Sequence, residues 1–180
     1  MWMGIFAGGG CSFVRAPSAE ELHAVEHPSH SDKAWCDAVA PKAVDWLTGQ
    51  EALLLPRGRP LSASEGEIAR QMGVQHPERV RILVVSDFPL PEDSYLAAEV
   101  KKLGFGSPQA GGRSMGYVVL VKPKFEGKRW LLAHELVHVG QRERMGTAEF
   151  VRRYLLELRL LGYKRSPLEL EANKVMLNAK

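Results

Sequence analysis

The segment over residues 128–145 constrains this chain more than any other, because it places charged and ionisable groups inside an apolar run. Its centre reads W-L-L-A-H-E-L-V-H-V-G over residues 130–140. The apolar positions predict a largely buried helix, which Gly146 would end. Buried imidazoles are costly without partners, so the two histidines are expected to share a partner in the interior.

The spacing of His134 and His138 indicates what that partner is. Residues four apart on a helix lie on the same face, so both imidazoles can be directed at one metal ion. Glu135 is rotated by about 100° and can reach a water molecule at the metal without being a ligand. Two neutral imidazoles hold Zn²⁺, the ion acidifies the water, and the carboxylate takes the proton. The alternative is a pair of core histidines satisfied by hydrogen bonds.

A second segment carries similar letters near the N-terminus. Residues 23–27 read H-A-V-E-H, the inverted arrangement that also occurs in zinc hydrolases. The helix predicted there is short and polar, and it ends at Pro28 directly after the second histidine. Because nothing apolar would bury or orient a metal site, the segment is interpreted as a solvated histidine-rich stretch.

Composition limits the remaining classes of function. The 180 residues are 45% hydrophobic and 25% charged, which is typical of a globular protein, and the net charge of +3 comes from scattered basic residues. Charge therefore gives little support for nucleic-acid binding. No apolar run approaches the ~20 residues of a membrane span, and residues 1–14 lack the basic start of a secretory signal. A cytoplasmic protein is expected, with Cys11 and Cys36 incidental and unpaired.

The order of elements predicts an α+β fold in which a small sheet precedes the helix with the histidines. We place a boundary near residue 60, between an N-terminal extension (1–60), partly helical or flexible, and a metallohydrolase domain (61–180). Strands are predicted at 80–86 and 116–122, and residues 104–116 as a loop that either covers the site or lies on the surface. Helices are predicted at 18–26, 32–47 (bent or interrupted at Pro41), 64–72 (with a capping box from Ser64 and Glu67), 91–103, 128–145, 147–161 and 167–178.

Residues 131–139, followed by Gln141, resemble the zincin superfamily of metallopeptidases. More narrowly, they are similar to the bacterial DUF4157-type metallopeptidases, in which H-E-L-x-H-V-x-Q is typical. The likeness extends in layout over roughly residues 78–175. It implies a zincin-like fold, with a small mixed or antiparallel sheet, the H-E-x-x-H helix and two further helices. It also implies an edge strand that holds an extended peptide, for which residues 116–118 are the candidate.

The resemblance also implies a third metal ligand from a later helix, often within the letters E-x-x-A-D. Here Glu169 stands in the ligand position, Ala172 in the small one, and Asn173 where an aspartate is common. Glu171 stays open as an alternative ligand, although its side chain points about 200° away from that of Glu169 on a helix. Both glutamates also suit the N-terminus of a helix without any metal. An amide at Asn173 would orient a histidine more weakly than a carboxylate would.

The residue that stabilises the developing oxyanion is predicted from the same region of the chain. Tyr154, Tyr163 and Arg165 lie between the motif and Glu169, and Tyr163 is our candidate. The sequence therefore predicts a zinc-dependent peptidase with Glu135 as general base and a peptide or protein as substrate. Two alternatives stay open: a binding module that keeps the scaffold without hydrolysis, and an effector protease that a partner activates by displacing residues 1–60. The oligomeric state is left open.

Overall fold

A computed structural model describes residues 15–107 and 109–176 and has an α+β fold, as the sequence predicts. Residues 1–14, Cys11 among them, and the last residues of the predicted helix 167–178 lie outside the described residues. Four strands form one sheet: β1 (Arg59–Pro60), β2 (Arg81–Val84), β3 (Gly112–Met115) and β4 (Val118–Val121). The helices of the described part are α1 (Ala19–Glu26), α2 (His30–Leu54), α3 (Ala63–Gln71), α4 (Ser94–Lys102), α5 (Arg129–Met145), α6 (Thr147–Leu161) and α7 (Pro167–Met176).

The strand order β1-β2-β4-β3 makes the sheet mixed and corrects the sequence analysis on the edge strand. β4 pairs in parallel with β2 and antiparallel with β3, so the segment 116–122 supplies an inner strand. The edge position next to β4 belongs to β3, whose residues were predicted to be part of the loop 104–116. Its letters G-R-S-M contain no β-branched residue, and so no propensity signal marked it. Gly116, with φ of 65°, allows the tight turn into β4.

The two faces of the sheet pack against different helices. Val119 and Val121 of β4 join a core cluster with Leu131 and Leu136 of α5. Val118 and Leu120, on the opposite face, cluster with Met115 and with Leu54 at the end of α2. Strand β4 is therefore buried on both sides, and β3 lies at the border between α5 and the helices of the N-terminal half.

Helix α2 is longer than predicted and is not interrupted at Pro41. Proline in a helix interior removes a hydrogen bond and costs ~3 kcal/mol, which packing must offset. Here the buried side chains of Cys36, Val39 and Ala43 pack in one cluster with Leu155 and Leu156 of α6. Helix α2 thus shares a core with the C-terminal half of the chain, and β1 pairs with β2. The domain boundary near residue 60 stays a prediction.

Two further details refine the predicted elements. The capping box of α3 is formed by Ser62 and Glu65, two residues before the predicted pair Ser64 and Glu67. The alternation of serines and acidic residues at this point allows either register by spacing alone. Within the described part of the chain, no helix has the length and apolar character that crossing a bilayer requires.

Candidate metal centre

Helix α5 carries both histidines into the interior. Its residues 131–141 are all buried, and it ends at Gly146, whose φ is 79°. The rings of His134 and His138 are 4.9 Å apart at an interplanar angle of 82°, and their Nε2 atoms are separated by 3.3 Å. The one-turn spacing predicted from the sequence thus brings both Nε2 atoms to one point beneath the surface.

Helix α7 brings Glu169 to the same point. Its Oε2 lies 3.4 Å from Nε2 of His134, and its Oε1 lies 3.4 Å from Nε2 of His138. The carboxylate is almost fully buried, at 1% exposure. Among the described residues, His134, His138 and Glu169 thus form a buried group that could hold a metal ion.

The separations within this group fit a tetrahedral ion. Zinc lies about 2.0–2.1 Å from histidine nitrogens and about 2.0–2.2 Å from carboxylate oxygens. Ligands at those lengths around a tetrahedral centre are about 3.3–3.5 Å apart. The two Nε2 atoms are 3.3 Å apart, and each lies 3.4 Å from a different oxygen of Glu169, so these separations are close to this value and exceed the usual length of a good hydrogen bond. The separations and the donor types are therefore compatible with a metal ion held between the three side chains.

Gln141 fixes which nitrogen of His138 faces the group. Its Oε1 lies 2.8 Å from Nδ1 of His138, and its amide nitrogen donates to the Leu168 carbonyl and to Oε2 of Glu171. Because the amide nitrogen faces two acceptors, Oε1 must accept, and Nδ1 of His138 carries the hydrogen. In the neutral imidazole, the lone pair of Nε2 then points at Glu169 and His134, as a metal ligand requires.

The two candidate glutamates of α7 have different surroundings. Glu171 is exposed and contacts Gln141 and Arg144, with its Oε1 2.9 Å from Nη2 of Arg144. It therefore supports the residue that orients His138, while Glu169 contacts the histidines directly. None of the described residues, Asn173 included, forms a hydrogen bond with Nδ1 of His134. The orienting role considered for position 173 is filled at His138 by Gln141.

Inside the group, the neighbouring charges and burial shift the pKa values of Glu169 and His138 in opposite directions. Burial would raise the pKa of Glu169, but the imidazoles of His138 and His134 outweigh it and hold this pKa well below its ordinary value. For His138, burial acts to lower the pKa, and Glu169 and Glu135 overcome it and raise this pKa to about 9. Without a cation between them, these ligands favour a proton, so a metal ion would bind in competition with that proton.

Glu135 lies beside the group on the side of β3. Burial raises its pKa, the neighbouring His134 and His138 act in the opposite direction, and so does a hydrogen bond from the backbone N–H of Ser114. A Cβ on Gly112 would lie 2.8 Å from Oε1 of Glu135, which is too close. The absence of a side chain at Gly112 therefore makes the space that this carboxylate occupies.

Two tyrosines approach the carboxylate of Glu169. Tyr154 donates from its hydroxyl to Oε1 of Glu169 at 2.6 Å. The hydroxyl of Tyr163 also interacts with Glu169, and burial together with this negative charge raises the pKa of both tyrosines. Both hydroxyls stay protonated and can donate. Arg165 instead contacts Glu21 and the backbone of Arg15, away from the group.

The N-terminal motif does not form a comparable group. His23 of α1 and His27, directly after that helix, are exposed with ring centroids 4.5 Å apart, and Val25 is the buried residue of the helix. The solvated interpretation agrees with this exposure.

Several residues that shape the site were not identified from the sequence. Gln141 stood in the resemblance as a letter of the motif, but its hydrogen bonds required the position of α7. Gly112 and Ser114 lie in the unrecognised strand β3. Glu157 is fully buried and accepts hydrogen bonds from Ser166 and from the backbone of Leu168, so it holds the start of α7. Its place among leucines, in L-L-E-L, was the available signal.

Comparison with protein-family models, with curated proteins and with solved structures finds no match to this chain. No relative therefore supplies a function, and membership of the zincin superfamily is a proposal. The functional interpretation depends on the geometry of the buried group and on the residues around it.

Proposed function

We propose that this protein is a zinc-dependent hydrolase with a zincin-like fold that cleaves peptide bonds. The observation that carries the proposal is the buried group of His134, His138 and Glu169, whose ligand atoms are 3.3–3.4 Å apart. Two histidines and a glutamate form the ligand set of known zinc peptidases, and three protein ligands leave one tetrahedral position open. When bound, zinc would supply a Lewis acid that acidifies water and polarises a carbonyl.

Glu135 is the proposed general base. It follows His134 directly, lies within the buried region, and is held by the Ser114 N–H. A carboxylate in this position can accept a proton from the attacking water and deliver it to the leaving nitrogen. Tyr163 and Tyr154 remain the candidate donors to the developing oxyanion, since both carry protonated hydroxyls beside Glu169.

Strand β3 supports a peptide as the substrate. The backbone N–H of Lys122 donates to the carbonyl of Gly111, so these two residues form a hydrogen-bonded pair. In an antiparallel ladder such pairs alternate with pairs that are not hydrogen-bonded. The N–H groups of Gly112 and Ser114 therefore face away from β4, on the side of Glu135. Because the Ser114 N–H already bonds Glu135, an extended peptide would pair with this edge at Gly112, and it would present a backbone carbonyl to the group with little selectivity for sequence.

Hydrolysis of a broad peptide library by the wild type and by Glu135→Gln tests the proposal. The substitution keeps the size of the side chain and removes the base, so we expect turnover to fall ~10²–10⁴-fold while zinc stays bound. Glu149→Gln is the matched control, because Glu149 is exposed on α6. Cleavage that is unaffected by Glu135→Gln would contradict the assignment.

The two alternatives predict other outcomes in the same experiment. A binding module would retain zinc and show equal background turnover for the wild type and Glu135→Gln. A protease covered by its N-terminal extension would gain activity when residues 1–60 are removed. That deletion removes α2, whose Cys36, Val39 and Ala43 belong to a core cluster with α6, so unfolding must be measured alongside activity.

A further inference from the structure

Arg113 of β3 is buried with part of its guanidinium unsatisfied. The residue is 7% exposed, and its guanidinium carbon lies 3.7 Å from the ring centroid of Phe105 and 4.7 Å from that of Phe88. Nη1 donates to the carbonyl of Pro89 at 3.2 Å. Nε and Nη2 have no hydrogen-bond partner in the part of the chain that the structure describes. These two nitrogens share one edge of the guanidinium, so two parallel N–H groups are left without an acceptor.

Arg142 shows how the protein compensates another covered guanidinium. Its two terminal nitrogens lie 3.3 and 3.4 Å from the two oxygens of Glu51. No carboxylate among the described residues forms a hydrogen bond with Arg113, and burial lowers its pKa to about 10 although the charge of Glu135 acts in the opposite direction. A buried charge without a hydrogen-bonded partner is expensive, and a ligand of opposite charge would lower this cost.

A cavity of about 100 Å³ adjoins Arg113. Trp46 also lines this cavity, and its Nε1 is a second buried donor without a partner. The unsatisfied polar groups of the wall are therefore donors, which an acceptor-rich ligand would match. The rest of the wall is mainly apolar and is formed by side chains of α2, α4 and α6, among them Leu47, Leu96, Val100, Phe150 and Leu155.

The cavity also reaches the residues that hold the candidate site. Ser114 and Tyr154 both line it. The backbone N–H of Ser114 bonds Glu135, and the hydroxyl of Tyr154 bonds Glu169. A group in the cavity would therefore lie next to the chain segments that contact the general base and the third ligand.

We infer that Arg113 and this cavity receive the C-terminal residue of the substrate, so that the protein acts as a carboxypeptidase. The α-carboxylate would pair with the free edge of Arg113, and an apolar side chain would fill the cavity. A C-terminal apolar residue carries a carboxylate for Arg113 and an apolar group for the cavity on the same carbon. The side chain of an aspartate or glutamate would supply the carboxylate but no apolar group to fill the cavity. Parallel N–H donors match both oxygens of a carboxylate. The inference rests on the proposed function and names its substrate class.

The reaction is hydrolysis of the last peptide bond. One water molecule is consumed: its oxygen bonds to the acyl carbon as the carbon–nitrogen bond breaks. Its protons are divided between Glu135, which passes one to the leaving nitrogen, and the new carboxyl group, which ionises. The products are a peptide one residue shorter and a free apolar amino acid.

Two measurements test this assignment, one of which does not need turnover. In the first, peptides ending in leucine are compared with the same peptides ending in leucinamide. In the second, binding of N-acetyl-leucine and of N-acetyl-leucinamide is measured by calorimetry. We expect the wild type to prefer the free acid ~10–100-fold in both, as a charged hydrogen-bonded pair implies. Arg113→Met should abolish the preference by weakening the acid alone, and Trp46→Phe should reduce it less.

Arg129→Met is the matched control, since Arg129 is exposed at the start of α5. Arg113→Met replaces the charged side chain by an apolar one of similar length and so removes a buried charge. The variant is therefore expected to fold. Equal binding of acid and amide by the wild type, or a preference that survives Arg113→Met, would overturn the inference. Absence of all hydrolysis together with an Arg113-dependent preference for the acid would instead contradict the proposed function and leave the binding site standing.

Discussion

Two segments of this chain, in α1 and in α5, each contain two histidines and a glutamate within five residues, and their surroundings differ in three ways. In α5 the histidines are buried, the carboxylate of Glu169 from another helix reaches both Nε2 atoms, and Gln141 orients one ring. In α1 the histidines are exposed and their rings contact each other. The comparison teaches that a candidate metal site is made by the elements packed around a motif, since similar letters are present in both segments.

Removing both histidines of each segment in turn should give the largest contrast. We expect His134→Ala/His138→Ala to reduce zinc from about one ion per chain to almost none, because two of three protein ligands are lost. The matched variant His23→Ala/His27→Ala should retain the full zinc content. Metal analysis after dialysis measures both, with circular dichroism as the control for folding. Equal zinc loss in the two variants would remove the distinction.

The carboxylate supplied by Glu169 is the second difference, and α7 provides its own control. Glu169→Gln should weaken zinc binding by more than ~100-fold, because an amide supplies neither charge nor a strong ligand oxygen. Glu171→Gln should weaken it by less than ~10-fold, because Glu171 contacts Gln141 rather than the histidines. Competition with a chelator of known affinity measures both. The reverse order of effects would make Glu171 the ligand.

The space kept for Glu135 is a feature that the α1 segment lacks. Gly112→Ala should lower turnover by ~10²-fold with zinc retained, because the new Cβ would lie 2.8 Å from Oε1 of Glu135 and displace the base. Gly49→Ala is the matched control, since nothing lies within 4 Å of a Cβ at that position. Undiminished turnover in Gly112→Ala would show that Glu135 does not need this position.

The smallest expected effect concerns how α7 is held. Glu157→Gln should lower the free energy of unfolding by ~1–3 kcal/mol, because its buried oxygens accept from Ser166, Leu168 and Arg153. An amide can accept at one end only and leaves donors facing each other at the other. Glu149→Gln, on the exposed face of α6, should change stability little. Chemical denaturation of both variants measures the difference.

Much of this arrangement was accessible from the sequence, and the remainder depended on long-range packing. The helical phase of His134, Glu135 and His138 is a local property, so the common face of the two histidines and the position of Glu135 beside it could be predicted, and the glycines at 146 and 162 mark the helix ends. The strand β3 could not be predicted, because G-R-S-M has low strand propensity and is held by pairing with β4.

Residues that act across elements were the hardest to predict. The contact between Gln141 and Glu171 joins positions thirty residues apart, and that between Trp46 and the cavity of Arg113 joins positions still farther apart. Neither pair has a local spacing that indicates its role. Only the packing of α7 on α5, and of α2 and α6 around β3, brings these side chains together.

The most direct test is a crystal structure of the purified protein with anomalous data collected on both sides of the zinc edge. We expect one zinc peak about 2.0–2.2 Å from Nε2 of His134, Nε2 of His138 and a carboxylate oxygen of Glu169. No peak is expected at His23 and His27. A zinc-loaded crystal without a peak among the three ligands, or with its peak at the α1 segment, would contradict the central claim.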